Sequence, residues 1–317
     1  MTGRQDGRRP TAAVVICAYT EDRWADTLAA VGSVRAQSYP ASEVLLVVDH
    51  RPALLDRLSE EYGRTAGLRV LANAGPPGLS AGRNTGIAAS SGEIVAFLDD
   101  DAVAERDWLR HLAAAYADPR VMAVGGRTEP VWASGRRPGW FPAEFDWVVG
   151  CTYRGLPHGT ARVRNVLGGN ASYRRTALAA TGGFAPGIGR DGGPRPLGCE
   201  ETELCIRLSR ARPDAVLLID DRAVVHHRVP PERERFAYFR ARTYAEGLSK
   251  ARLTRRVGTG SGLRSERAYV TRVLPAALAR AARDALLARP DGAARAGAVV
   301  TGLAMATAGY VRERATA

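Results

Sequence analysis

Ser90-Ser91-Gly92-Glu93-Ile94-Val95-Ala96-Phe97-Leu98-Asp99-Asp100-Asp101 is the stretch on which the reading of the whole chain turns. A polar turn is followed by an uninterrupted apolar run, and the run ends on three carboxylates. Buried parallel strands read as short continuous apolar runs, and ligands of open α/β sheets lie beyond the carboxyl ends of the strands. The aspartates therefore fall where a ligand would lie. Three adjacent carboxylates repel one another, and a divalent cation taking oxygen ligands, with substrate phosphates completing its shell, relieves that repulsion most simply. A helix N-terminus, whose free amides and dipole favour aspartate, is the alternative setting.

Outward from this segment, strand and helix patterns alternate. Ala12 to Cys17, Val44 to Val48 and Leu68 to Leu71 read as strands; Trp24 to Gln37, Leu54 to Tyr62 and Leu79 to Ala89 read as helices. Alternation of this kind predicts a mostly parallel sheet flanked by helices. Beyond Tyr116 the pattern loosens. Val121 to Val124 reads as a strand, and residues 129 to 160, rich in Gly, Pro and Trp, as a long functional excursion. Arg162 to Tyr173 reads as a strand interrupted at Gly168-Gly169-Asn170, Glu200 to Ala211 as a helix, and Val216 to Ile219 as a strand. From Pro231 onward the chain is helical, with a poorly structured linker expected at Gly258 to Ser265.

The 317 residues, 45% hydrophobic and 25% charged, describe an ordinary globular chain. The net charge of +12 is concentrated late: residues 251–317 hold 12 arginines against 4 acidic residues. Only Lys250 among the 45 basic residues is lysine, which reflects a GC-rich codon composition and weakens any argument for nucleic acid from arginine number. No aromatic residues interleave the basic tail as single-strand binding requires, so no nucleic-acid partner is expected. The four cysteines form no CxxC pair and read as reduced core thiols of a cytoplasmic protein. Residues 1–10 are polar, basic and expected to be disordered, with no apolar segment behind them to make a secretory signal. The longest uncharged stretch, Ala296 to Val311, falls short of the ~20 residues that span a bilayer.

The turn after the first strand, Ala18-Tyr19-Thr20-Glu21-Asp22, has none of the glycines that a dinucleotide fold places there, which argues against NAD. Asp49 ends the second strand, placed either to bind a base or ribose or to cap a turn. Arg83, near the start of a helix, could pair with a phosphate or with the aspartates. Taken together, Val15-Ile16-Cys17-Ala18-Tyr19, Val47-Val48-Asp49, Ser80-Ala81-Gly82-Arg83-Asn84-Thr85-Gly86-Ile87 and Phe97-Leu98-Asp99-Asp100-Asp101-Ala102 resemble the family-two inverting glycosyltransferases of the GT-A fold. Leu167-Gly168-Gly169-Asn170 and Gly198-Cys199-Glu200-Glu201-Thr202-Glu203-Leu204 are similar to two later motifs of that family, and the resemblance covers about residues 11–250.

The resemblance implies a GT-A domain over 11–250, with a nucleotide-binding half at about 11–101 and an acceptor half at about 102–250, followed by a basic helical extension at 251–317. It also implies a nucleotide-sugar donor, UDP-linked in preference, a hydroxyl acceptor and a divalent cation, Mn or Mg. In its terms Tyr19 and Asp49 hold the nucleobase and Arg83 steadies the nucleotide. Asp99 touches the ribose and shares the metal with Asp101, while the run of three leaves the register of Asp100 open by one. Gly169 and Asn170 belong to the donor site. His227, registered on the Val229-Pro230 that follows, is a third metal contact, and an imidazole there favours Mn²⁺ over Mg²⁺. Inverting transfer needs one carboxylate to take the acceptor proton, and either Glu200 or Glu201 can serve. Trp132, Trp140 and Trp147 in the 129–160 excursion are candidates for an acceptor wall, since aromatic faces pack on sugar rings and on apolar acceptors.

Two other readings compete. Nucleotidyltransferases also present carboxylates on an α/β sheet, but with a glycine-rich, basic first loop that Tyr19-Thr20-Glu21-Asp22 is not. A basic membrane or nucleic-acid adaptor leaves the aspartates and glutamates without a purpose. Processive synthases would carry several membrane spans and a Gln-x-x-Arg-Trp motif, so single-sugar transfer is favoured. In the tail, arginines alternate with Val273, Leu274, Leu278, Leu286 and Leu287; this suits either helices packed on the catalytic domain or a peripheral contact with an anionic membrane at the inner face, where a lipid-linked acceptor would lie.

Overall fold

The computed structural model describes residues 9–190 and 197–316; the disordered segment expected at residues 1–10 lies, up to residue 8, outside them. In chain order the elements begin β1 (Ala12–Ala18), α1 (Trp24–Arg35), β2 (Glu43–Val48), α2 (Pro52–Tyr62), β3 (Leu68–Ala72), α3 (Leu79–Ala89), β4 (Ile94–Asp99), β5 (Ala102–Ala104) and α4 (Trp108–Ala115). They continue β6 (Val121–Trp132), β7 (Thr160–Arg162), β8 (Asn170–Arg174), α5 (Arg175–Thr181), α6 (Glu200–Ala211) and β9 (Val216–Val229). The chain closes with α7 (Phe236–Val257), α8 (Thr259–Gly262), α9 (Arg264–Ala268), a π-helical turn at Tyr269–Val273, α10 (Leu274–Leu286) and α11 (Gly292–Ala315).

One mixed sheet runs β3-β2-β1-β4-β8-β6-β9-β5, with β7 on the flank of β9. The first four strands in that order pair in parallel, as does the long β6–β9 ladder; β8 runs antiparallel between β4 and β6. The apolar runs are continuous because both faces are covered. Val14, Ile16, Ile94, Ala96 and Leu98 point to one core with α1, α2 and α4. Val15, Val95 and Phe97 point to the other, against Tyr173, Phe184 and Leu204.

Several expected elements take a different form. Residues 162–173 are not one interrupted strand: β7 and β8 are separate, joined by a loop that crosses the strand ends. The 129–160 excursion is no open loop either. Its first residues extend β6, Ala143–Val149 forms a 3₁₀ helix, and Phe141, Phe145 and Val149 anchor a third core with Phe239 of α7, Leu274 of α10 and Val299 of α11. The expected linker at 258–265 is helical, built from α8 and the start of α9.

This third core also settles how the apolar face of the tail is used. Leu274, Ala277, Ala298 and Val299 are buried in it against Phe141, Phe145 and Phe239. Where α7 and α11 cross, a Cβ on Gly247 would lie 2.0 Å from the Ala306 carbonyl, and one on Gly309 2.1 Å from that of Tyr244, so glycine is what lets the two backbones touch. α7 passes unbroken through position 250. Among the described residues no helix is long and apolar enough to cross a membrane.

Candidate active site

The carboxyl ends of β1, β2 and β4 lie side by side and open into a cleft of about 1470 Å³ that runs on to the C-terminal helices. Tyr19, Asp49, Arg83, Asp99, Asp100, Asp101, Gly169, Glu200, Glu201, Trp147 and His227 all line it. The structure thus gathers most of the residues singled out in the sequence into one place.

Topology assembles the carboxylate cluster. β5 starts directly after Asp101 and pairs antiparallel with β9, setting Ala102 opposite His227; the Arg228 amide donates to the Asp101 carbonyl at 2.9 Å. His227 Nε2 then lies 3.1 Å from Asp101 Oδ1. One ligand atom each from Asp99, Asp101 and His227 falls within 4.8 Å of the others, a spacing that suits one metal ion. Asp100 faces inward and is buried: Arg23 Nη1 donates to its Oδ1 at 2.6 Å, while Oδ2 has no hydrogen-bond partner among the described residues. The same Arg23 nitrogen lies 3.0 Å from Asp101 Oδ2, and Arg233 lies 4.0 Å from it. Burial pushes the Asp100 carboxyl upward against the pull of Arg23, and its neighbour Asp101 adds to the rise. Asp101 is buried too, but His227, Arg23 and Arg233 outweigh that burial and hold it well below the usual carboxylate range.

Behind the aspartates the two glutamates divide. Cys199 takes a left-handed conformation, φ 78°, immediately before α6, and Glu200 and Glu201 open the helix. Glu200 is buried against Arg83, with Nη1 to Oε1 at 3.0 Å, and the same guanidinium reaches Asp99 at 3.6 Å. Glu201 makes no ion pair among the described residues; it accepts from the Thr202 hydroxyl at 3.2 Å and from its own backbone amide. Burial, reinforced by Glu200, pushes its carboxyl up to about 7. Glu203, in the same turn, is tied to Arg207 at 2.7 Å and belongs to the helix rather than to the cleft.

At the adjoining end of β1 Tyr19 is exposed, with the Arg23 guanidinium 5.0 Å from its ring centre. Asp49 accepts from Asn73 Nδ2 at 2.7 Å and from the Gly78 amide at 2.9 Å, so it organises the entry to α3 as well as lining the cleft. Gly169 sits so close to Asp99 that a Cβ would fall 2.2 Å from Oδ2; any side chain there would displace the carboxylate.

Three of the expected residues stay out of the cleft. Asn170 lies wholly buried in β8, where its Oδ1 accepts from Trp108 Nε1 at 2.8 Å and its Nδ2 donates to the Arg127 and Ala223 carbonyls, leaving nothing for a donor. Trp132 and Trp140 pack on Phe141, and Trp140 also on Phe236 and Phe239, inside the third core. Trp147 alone of the three tryptophans reaches the cleft, bonded through Nε1 to the Tyr269 hydroxyl at 3.1 Å. Conversely, Arg23 and Arg233 escape a sequence reading. Each sits in a short 3₁₀ turn with no motif around it, in a chain whose basic residues are arginine everywhere but at Lys250.

Residues 13–182 match the model of glycosyl transferase family 2. The glucosyl-dolichyl phosphate glucuronosyltransferase of Haloferax volcanii is 34% identical over 238 residues, covering 75% of each chain. Among solved structures, the mannosyltransferase PcManGT from Pyrobaculum calidifontis, in complex with GDP-Man and Mn²⁺, superposes with a TM-score of 0.59 at 18% identity, over 96% of this chain and 88% of that one. GalNAc-T7, solved with UDP, GalNAc and Mn²⁺, superposes with a TM-score of 0.56 at 18% identity over 78% of this chain, which spans 51% of that protein. The fold of these structures, the matched family region and the carboxylates at the strand ends agree: the chain belongs to glycosyl transferase family 2 and is a glycosyltransferase with the GT-A fold.

Proposed function

We propose that the protein is a metal-dependent inverting transferase that moves one sugar from a nucleotide-sugar donor, UDP-linked in preference, to a hydroxyl of a glycan, lipid-linked glycan or natural product. The observation that carries this reading is the division of the glutamates in one cleft with the aspartates. Glu200 is neutralised by Arg83, whereas Glu201 keeps an unpaired carboxyl whose affinity for protons suits a general base near neutral pH. Glu201 takes the acceptor hydroxyl proton as that oxygen attacks the anomeric carbon on the face opposite the leaving diphosphate. Arg83, fixed between Glu200 and Asp99, orients the donor side. Tyr19 offers an open ring face to the base, and Asp49 its carboxylate edge. Asp99, Asp101 and His227 would hold a divalent cation, Mn²⁺ or Mg²⁺, whose chemistry is neutralisation of the charge on the leaving diphosphate.

The name of the Haloferax relative supports a lipid-linked acceptor, and the surface supports a peripheral place at the cytoplasmic face of a membrane: Leu286 and Leu287, 88% and 57% exposed, stand beside Arg283 and Arg289 at the end of α10. The donor assignment is tested by thermal shift against UDP-, GDP- and dTDP-sugars with and without Mn²⁺, because a ligand bound only by the native state raises its melting temperature. A UDP-sugar should give the largest rise, and only with the metal. Equal shifts in the presence of excess chelator would remove the metal from the reading.

A further inference from the structure

Beyond Glu201 the cleft passes a ladder of half-buried charges that the transfer chemistry does not use. Arg242, Glu246 and Lys250 stand at i, i+4 and i+8 on one face of α7. Arg242 Nη1 lies 2.9 Å from Glu246 Oε2, and Lys250 Nζ lies 3.4 Å from Glu246 Oε1 and 2.7 Å from Glu266 Oε1. Arg164, from the loop between β7 and β8, closes the ladder on Glu266 at 2.7 Å. Glu246 also accepts from the Cys199 thiol at 3.6 Å, which places the ladder directly beside the start of α6 and its glutamates.

The ladder does not balance. Arg164, Arg242 and Lys250 face two carboxylates, an excess of one positive charge, and the exposed Arg162, Arg267 and Arg272 also line the cleft. Burial opposes the charges of Glu246, Glu266 and Lys250, yet their neighbours hold Glu266 down to about 2, Glu246 below its ordinary range and Lys250 well above its own, so all three stay ionised. Glu201, which keeps its proton up to about 7, offsets the excess only in part. Each cation of the ladder has a carboxylate neighbour, but two carboxylates shared among three half-buried cations leave the compensation incomplete, and the excess is positive. Lys250 is moreover the one basic residue of 45 that is not arginine: a compact ammonium with rotatable donors stands where the chain elsewhere uses a planar fork.

Apolar residues line the cleft as well. Tyr269, Val270 and Val273 of the π-helical turn, Leu274, and Leu303 and Ala306 of α11 all contribute to its lining, and Val270 is 40% exposed. π-Helical turns are rare and concentrate at functional sites.

We infer that this end of the cleft is an acceptor subsite for a phosphate-bearing amphiphile, its phosphate held among Lys250, Arg164 and Arg242 and its apolar chain leaving between the π-helical turn and α11. The inference rests on the transferase reading and adds to it the chemistry of the acceptor. An uncharged glycan would leave the excess cation uncompensated and the apolar lining wet. A phosphate on an apolar chain answers both.

Calorimetric titration of the wild-type protein with farnesyl phosphate, farnesol and inorganic phosphate tests this without any substitution. Farnesyl phosphate should bind at least tenfold more tightly than either of the others. Farnesol binding as well as farnesyl phosphate would overturn the phosphate contact, and inorganic phosphate binding as well would overturn the amphiphile. Lys250→Met should then weaken farnesyl phosphate by about tenfold or more while Lys250→Arg restores much of the loss; equal affinity in wild type and Lys250→Met would also overturn it. Mn²⁺-dependent UDP binding, measured on the same samples, separates the two readings: its loss in wild type counts against the donor assignment, whereas its survival with no farnesyl phosphate binding counts against this subsite alone.

Discussion

The two ends of the cleft solve opposite electrostatic problems. At the strand ends the excess is negative: Asp99, Asp100 and Asp101 crowd together, and Arg23, Arg83 and Arg233 are brought from three distant turns and helices to hold them. Against α7 the excess is positive, and the ladder from Arg242 to Arg164 is laid out mainly by helical periodicity on one face. The first end suits a cation and a diphosphate, the second an anion. Glu201 stands between them, and its proton affinity is set by burial and by its neighbour Glu200. If donor and acceptor are both anionic, as proposed, keeping their counter-charges on separate walls favours bringing them together.

The largest effect should come from removing charge at the strand ends. Asp101→Ala should abolish transfer, a loss of about 10³-fold or more, since metal-assisted charge stabilisation is worth several kcal/mol and each 1.36 kcal/mol is tenfold. Circular dichroism should show the fold retained. Full activity of the wild-type protein in excess chelator would break the comparison at its first end.

The glutamates sharpen it next. Glu201→Gln should lower kcat by about 10² to 10⁴ with donor affinity nearly unchanged. Glu200→Gln should instead cost up to about 3 kcal/mol of stability, because it leaves the buried Arg83 guanidinium only its longer contact, 3.6 Å, to Asp99. Stopped-flow single turnovers and urea unfolding distinguish the two; the kcat pattern appearing in Glu200→Gln would exchange their roles.

The pH dependence should run in opposite directions at the two ends. Glu201 works as a base only when ionised, so kcat should rise with pH through about 7. Its folded carboxyl holds a proton more tightly than the unfolded one, so the stability it contributes is present at low pH and is lost as pH climbs to about 7. Glu266 holds its proton less tightly, so its contribution is present above the ordinary carboxylate range and is lost as pH falls toward about 2. Denaturant titrations from pH 3 to about 8 on wild type and Glu201→Gln should show the upper loss flattened in the variant and the acid loss unchanged; an unchanged upper limb would mean that Glu201 titrates normally.

The smallest effect concerns the exposed end of α10. Leu286→Asp with Leu287→Asp should change stability by less than about 0.5 kcal/mol, as surface substitutions do, but lower co-sedimentation with anionic vesicles several-fold. Wild-type protein that does not sediment with such vesicles at low salt would leave the basic tail a packing element only.

Much of this was legible in the residues. The apolar runs at 12–17, 44–48 and 94–98 determined their strands by themselves, because strands covered on both faces must be apolar throughout. The aspartates at the end of one run determined where the site would be, because strand ends are where such sheets bind. The opening of α6 at Glu200 and Glu201 was equally plain. What only the tertiary structure decided depends on pairings far apart in sequence. That β8 enters antiparallel beside β4 put Asn170 inside the sheet rather than in the cleft. That β5 pairs with β9 brought His227 to Asp101. Trp132 and Trp140 look no different in sequence from Trp147, yet the packing of α7, α10 and α11 buries the first two in a core and leaves the third in the cleft. Local patterns report burial and period, whereas which buried surfaces meet, and which arginines of so many reach a carboxylate, follow from the global packing that no single segment encodes.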